Sequence, residues 1–245
     1  MMVNSHLKKP LRKSKKLGSR PTGLKLLDKR MGGGLPEDSL VCIYADPMSM
    51  PEAFLYQLAS TRKTYYINTF RPVQTIQQNI SSMGFSVEEV EFIDIFSQYG
   101  KIRYEEFLVE SKWKKKEVFT FLDQQLKELE NAEEYNLVID SISFFMRLDV
   151  DTAIKDWLLN RLYLLSKESR NQFYMYLMKG VHPTEIVNMV MEISDVIFNI
   201  RSEEVGGRIK SVLSIPKIRN KPPVNDTFKF QVDEGVQIDT SKDIA

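Results

Sequence analysis

The sequence is poor in the residues that most often carry catalysis or covalent bracing. It has a single cysteine, Cys42, and only two histidines, His6 and His182. One cysteine excludes an intrachain disulfide, and its place inside the apolar run LVCIY marks it as a small core filler. Two isolated histidines without a cysteine pair exclude the common zinc patterns, and His182, just before Pro183, reads as a turn residue. No G-x-S-x-G or H-E-x-x-H motif is present. The apolar runs, LVCIY and VIFNI among them, are far too short to cross a bilayer. The first residues carry charge with no apolar segment behind them, so neither a secretory signal nor a membrane partner is expected, and the expected location is cytoplasmic.

A surplus of charge is also missing, but only on average. The 245 residues hold 34 Lys and Arg against 33 Asp and Glu. Seven of those bases, from Lys8 to Arg20, lie in residues 1–20 with no acid, which leaves 27 bases against 33 acids, a net −6, in the remainder. The body is therefore no general binder of polyanions. The segment 1–20 reads as a flexible basic arm, either solubilising or able to bind nucleic acid through residues 8–20 by counterion release. No aromatic residue interleaves with its bases, which argues against stacking on single strands. A second basic run, Lys112 and Lys114 to Lys116 around Trp113, reads as a solvated loop or helix start.

The rest of the chain alternates strand-like and helix-like segments. A short helix over Leu24 to Met31 is closed by Gly32, Gly33 and Gly34. Strands are expected at Leu40–Tyr44, Thr64–Asn68, Glu91–Phe96, Tyr135–Asp140 and Phe173–Met178. Between them lie helices from Pro51, over Val73–Met83, over Glu117–Asn131 and over Thr152–Glu168, the last with Ile154, Trp157, Leu158, Leu162 and Leu165 toward the core. A short helix over Glu185–Glu192 follows, then a hairpin of Val196–Arg201 and Arg208–Ile215 around Gly206-Gly207, and a last strand near Phe228–Val232. This order predicts an α/β fold: a mostly parallel sheet flanked by helices, with a C-terminal antiparallel hairpin. One domain over residues 21–238 and a tail over 239–245 are expected.

The stretch Asp38 to Ser60 has the strand–loop–helix form that in many α/β proteins cradles a phosphate. Its loop, Ala45, Asp46, Pro47, Met48, Ser49, Met50, Pro51 and Glu52, lacks the chemistry for one. Pro51 offers no N–H, Met48 and Met50 add bulk, and Asp46 and Glu52 add negative charge. Two like charges about 4 Å apart repel by roughly 4 kcal/mol at an effective dielectric near 20, about a thousandfold in affinity. Instead, Ser49-Met50-Pro51-Glu52 fits the S-x-x-E capping box, with Ser49 as N-cap and Glu52 in the electrostatic role of a phosphate.

Several stations in order resemble the KaiC-like branch of the RecA superfamily of ATPases. They are Thr22-Gly23, Leu27-Asp28, Gly32 to Pro36, the strand LVCIYA, the strand end VIDSIS, the GGR hairpin, Lys217-Ile218-Arg219 and FKFQVDEGVQI. The resemblance implies a RecA-like fold and a phosphate loop of the form G-x-x-x-x-G-K-[ST]. On that pattern Ala45 and Met50 stand for the glycines, Pro51 for the lysine and Glu52 for the hydroxyl residue, a degenerate Walker A loop. The acidic pair that activates water in the family is matched by Phe70 and Arg71, which cannot act as bases. Asp140 matches the acid at the strand end that helps to hold magnesium there, and Lys217 and Arg219 match bases that reach a neighbouring subunit's phosphate. With no nucleotide, Asp140 reads as a strand-end residue bonded to nearby backbone, and Lys217 and Arg219 as pairing with a neighbour's acids or facing water. Glu52 and Asp140 would need a third ligand, which the sequence does not supply, to hold a divalent ion. The resemblance thus implies a catalytically inactive protein, archaeal by the family's distribution, acting in regulation or as a scaffold through protein contacts. No cofactor is expected, with ATP and magnesium only if the loop is bypassed. Two alternatives are a weak ATPase of unusual nucleotide binding and a DNA-binding accessory of repair that uses the basic arm. The partner is expected to be a protein, with a homo-oligomer as another outcome.

Overall fold

The computed structural model describes residues 18–99, 111–205, 208–233 and 235–238. The bulk of the basic arm, with His6, the Gly206-Gly207 turn and the tail 239–245 lie outside the described residues. The arm's last two residues, Ser19–Arg20, are not a free segment but a short strand, β1, antiparallel to β2 at Leu35–Pro36. Gly34, at φ 116°, makes that crossing: a Cβ there would stand 2.1 Å from the Arg20 carbonyl oxygen. Helix α1, Lys25–Arg30, lies between these strands, and Asp28 pins the entry by accepting the N–H and Oγ1–H of Thr22, both at 2.8 Å.

The main sheet has nine strands. Six are parallel, in the spatial order β8 (Val196–Val205), β3 (Leu40–Ala45), β7 (Gln172–Met178), β6 (Asn136–Asp140), β4 (Thr64–Asn68) and β5 (Val90–Asp94). Antiparallel strands β9 (Arg208–Ile218), β10 (Val224–Asp233) and β11 (Gly235–Ile238) extend it beyond β8. The near-continuous apolar runs of β3, β6 and β7 are what a sheet covered on both faces requires.

One face carries α1, α2 (Pro51–Ala59) and α3 (Val73–Ser82), with Phe54 edge-on to Phe230 at 4.6 Å. The other face carries α4 (Ile95–Tyr99), α5 (Ser111–Glu128), α6 (Ile142–Arg147), α7 (Thr152–Ser169) and α8 (Thr184–Ile193). Each fully buried Leu or Phe in these layers contributes about 1.5–3 kcal/mol.

Four expectations change. The third strand stops at Asp94, whose carboxylate accepts the Ser97 N–H at 3.0 Å and so opens α4 over Ile95 and Phe96. Helix α6 is unforeseen, because six residues of ISFFMR are too short for a period to register. On α7, Leu158, Leu159, Leu162 and Leu165 are buried while Trp157 is 40 % exposed, since the helix faces the sheet through Leu159 and leaves Trp157 at the rim. In the second basic run, which belongs to α5, Lys115 is buried, not solvated.

Candidate functional site

The loop after β3 is a single 3-10 turn, Pro47–Ser49, followed by Met50 in the left-handed region at φ 52°, ψ 53°. That conformation costs a non-glycine residue about 1–2 kcal/mol, and here a residue matched to a glycine still adopts glycine's geometry. Asp46 organises the turn: its carboxylate accepts the Met48 N–H at 3.0 Å, and its carbonyl accepts both the N–H and the Oγ–H of Ser49. The capping box therefore does not form. Met50, not Ser49, precedes α2 and makes no side-chain cap, because the left-handed step turns Ser49 back over the 3-10 turn. Hydrogen bonds from the Asp46 N–H to the Ile200 carbonyl (3.2 Å) and from Ser211 Oγ to the Ser49 carbonyl (3.3 Å) fasten the loop to β8 and β9. Met48 and Met50 stand outward, 70 % and 44 % exposed.

Glu52, on the first turn of α2, meets the Arg71 guanidinium at 3.3 Å. Arg71 arrives from the loop after β4, which also places Phe70 edge-on against Phe144 on the opposite face. Below this ion pair runs a polar row across the sheet edge, Asp94, Asn68 and Asp140, in register on β5, β4 and β6. Asn68 Nδ2 donates to Asp94 Oδ1 at 2.7 Å and to the Arg71 carbonyl at 3.0 Å. Tyr66 donates its hydroxyl to Asp140 Oδ2 at 2.9 Å, and the Asp140 carbonyl accepts from both Thr69 N–H and Oγ1–H. Burial pushes the Asp140 carboxyl up to about 6 despite the Tyr66 hydrogen bond and the Arg71 cation, with Glu52 adding to the rise. Burial opposes the Arg71 charge, but Glu52 and Asp140 outweigh it and hold the guanidinium above its ordinary value.

Lys217 and Arg219 are on the other edge of the sheet. Lys217 donates to the Met191 and Glu192 carbonyls at 2.8 and 3.0 Å, closing the C-terminal end of α8. Arg219 binds Asp38 at 3.1 Å, Asp195 at 2.8 Å and the Tyr163 hydroxyl at 3.1 Å. Lys167 joins the same two acids, and Asp195 also accepts the Leu40 N–H at 2.9 Å. The sequence reading pairs these bases with a neighbour's acids or with water; instead both find their partners within the chain. A concavity of about 240 Å³ beside them is bounded by Tyr163, Glu192, Ser194 and Asp195. His182 Nε2 lies 2.8 Å from Ser143 Oγ, which accepts the Met178 N–H, so the pair ties the loop after β7 to α6. Burial, Arg147 and Lys155 all lower the imidazole's proton affinity.

The structure thus brings Asp46 to Glu52, Arg71 and Asp140 together and leaves Lys217 and Arg219 apart from them. Sequence reasoning missed the Glu52–Arg71 pair, although its signal was present: an unexpected acid and an unexpected base at two stations of one pattern. Among the described residues, no group of three metal-ligating side chains forms, and no helix is long and apolar enough to cross a membrane.

A family model described as a family of unknown function, DUF7125, matches residues 19–245, and the chain belongs to that family. No curated protein matches the sequence significantly. Among solved structures, the fold is similar to the KaiC-like protein PH0186 from the hyperthermophilic archaeon Pyrococcus horikoshii OT3, with TM-score 0.68, 17 % identity, and 91 % of this chain and 99 % of that chain covered. It is also similar to the flagellar accessory protein FlaH from Methanocaldococcus jannaschii, with TM-score 0.64, 15 % identity, and 88 % and 95 % covered. At such identities the likeness establishes the fold: the chain has the RecA-type architecture of KaiC-like proteins.

Proposed function

We propose that this member of DUF7125 does not run ATP chemistry and acts as a regulatory or scaffold module through contacts with another protein. The observation that carries the reading is the ion pair of Glu52 and Arg71 beside buried Asp140. In the KaiC-like pattern Pro51 stands for the phosphate-binding lysine and Arg71 for a water-activating acid. The two departures compensate each other. Arg71 brings a cation to the site from the loop after β4, and Glu52 supplies the negative charge that it neutralises. A triphosphate entering here would compete with Glu52 for Arg71 and lie against Asp46, with neither a lysine nor a Pro51 N–H to hold it. A magnesium ion would meet the guanidinium beside Asp140. The residues present therefore do not fit ATP and magnesium, and no chemical step is assigned to them.

What the loop offers at the surface is apolar and firmly held. Met48 and Met50 project from a turn hydrogen-bonded to β8 and β9, and thioether side chains suit adaptable protein contacts. Calorimetric titration with ATP and magnesium tests the reading. We expect no binding tighter than about millimolar, which is about −4 kcal/mol, and a tighter dissociation constant overturns it.

A further inference from the structure

Asn68 is fully buried, and only one limb of its amide is satisfied. Nδ2 uses both hydrogens, on Asp94 Oδ1 and on the Arg71 carbonyl, whereas Oδ1 is buried with no donor. The in-register neighbours of Asn68 are Asp94 on β5, which takes Nδ2, and Asp140 on β6. Asp140 already accepts from Tyr66 through Oδ2, which leaves its other oxygen for a second partner. An ionised carboxylate can only accept and cannot serve a carbonyl oxygen, while a protonated one donates.

We infer that Asp140 takes up a proton and donates it to Asn68 Oδ1, and that this proton sets how Arg71 is divided between Glu52 and Asp140. The titratable groups facing Asp140 are Glu52 and Tyr56 from α2, Tyr66 from β4, Arg71 from the loop after it, and Tyr176 from β7, with Asp94 reaching it through Asn68. With Asp140 protonated, Glu52 and Arg71 balance. With Asp140 ionised, the two carboxylates share one guanidinium and the site carries net negative charge. Burial places the exchange at about pH 6, so both states are populated near neutrality. The charge beneath the Met48–Met50 loop is thereby linked to pH. The inference rests on the reading that the site holds no nucleotide.

Carboxyl-carbon NMR titration of the full chain is the test. We expect Asp140 to titrate with a midpoint of about 6 and the Arg71 Nε–H resonance to move with the same midpoint. Asn68→Ala removes the acceptor for the proton and lowers the midpoint, by about 0.7 pH units for one neutral hydrogen bond. Tyr66→Phe removes a donor to the ionised form and raises it. An Asp140 midpoint near the ordinary value of about 4, an Arg71 resonance that does not follow it, or an Asn68→Ala midpoint that stays or rises overturns the inference. The wild-type titration decides even where a variant fails to fold. If ATP binds in calorimetry while Asp140 still titrates in this way without nucleotide, the functional reading fails and the proton link stands.

Discussion

The two edges of the parallel sheet solve the same problem differently. At the edge where the strands begin, Asp38 and Asp195 meet Lys167 and Arg219, two acids against two bases, and Asp195 gains a backbone N–H as well. At the edge where the strands end, Glu52 pairs with Arg71, and buried Asp140 feels the same guanidinium without a direct contact among the described residues. The first cluster is balanced and ties α7 to the starts of β3 and β8. The second is short of one positive charge when Asp140 is ionised, and its carboxyl is shifted upward chiefly by burial, with the Glu52 charge adding a smaller push. Charge balance therefore separates an edge built for rigidity from one where a ligand, a proton or a partner can change the energy.

The largest test of that contrast removes an acid from the balanced edge. Asp195→Ala leaves Lys167 and Arg219 with Asp38 alone, and we expect a loss of about 3–5 kcal/mol, read as a lower urea midpoint at unchanged slope. A loss near zero would make the two edges equivalent.

At the other edge the sign reverses. Asp140 binds its proton more tightly folded than unfolded, so its contribution is complete below the ordinary value of 3.8 and is lost as pH rises through about 6. The interval corresponds to about 3 kcal/mol when fully expressed. Asp140→Asn keeps an acceptor for Tyr66, and we expect it to stabilise the protein at pH 8 by on the order of 2–3 kcal/mol. The gain should vanish below about pH 4; a gain independent of pH would remove the proton from the account.

Smaller effects sharpen the picture. The Glu52–Arg71 pair is partly solvated, with side chains 26 % and 41 % exposed. Arg71→Gln should accordingly cost no more than about 1 kcal/mol in chemical denaturation. The smallest change is expected for Met48→Ser, within about 0.5 kcal/mol. A larger loss there would show the outer methionine to be packed against the chain and would weaken its assignment to a partner surface.

How much of this was legible beforehand follows the range of each interaction. The strands Leu40–Ala45, Thr64–Asn68 and Gln172–Met178 were readable because their apolar runs are local and bounded by polar turns. The break at Asp94 was not, because a strand and the helix after it share one apolar run, and a single carboxylate on the Ser97 N–H decides where one becomes the other. The capping box failed for a related reason: S-x-x-E specifies residues but not the left-handed step at Met50, which hands Ser49 to Asp46.

By itself, the sequence determined the α/β alternation, the order of the RecA-like stations and the lack of any lysine between Ala45 and Glu52, since each is a matter of residue type along a short stretch. Only the tertiary structure decided which charges meet. Glu52 and Arg71 are 19 residues apart, and Arg219 and Asp38 are 181 apart. Their pairing depends on strand register, parallel from β4 through β6, β7 and β3 to β8 and antiparallel from β8 into β9, and so does the burial of Asp140 beside Asn68. Electrostatics in a folded chain is set by distance and solvent exclusion, which strand pairing creates and residue order alone does not contain.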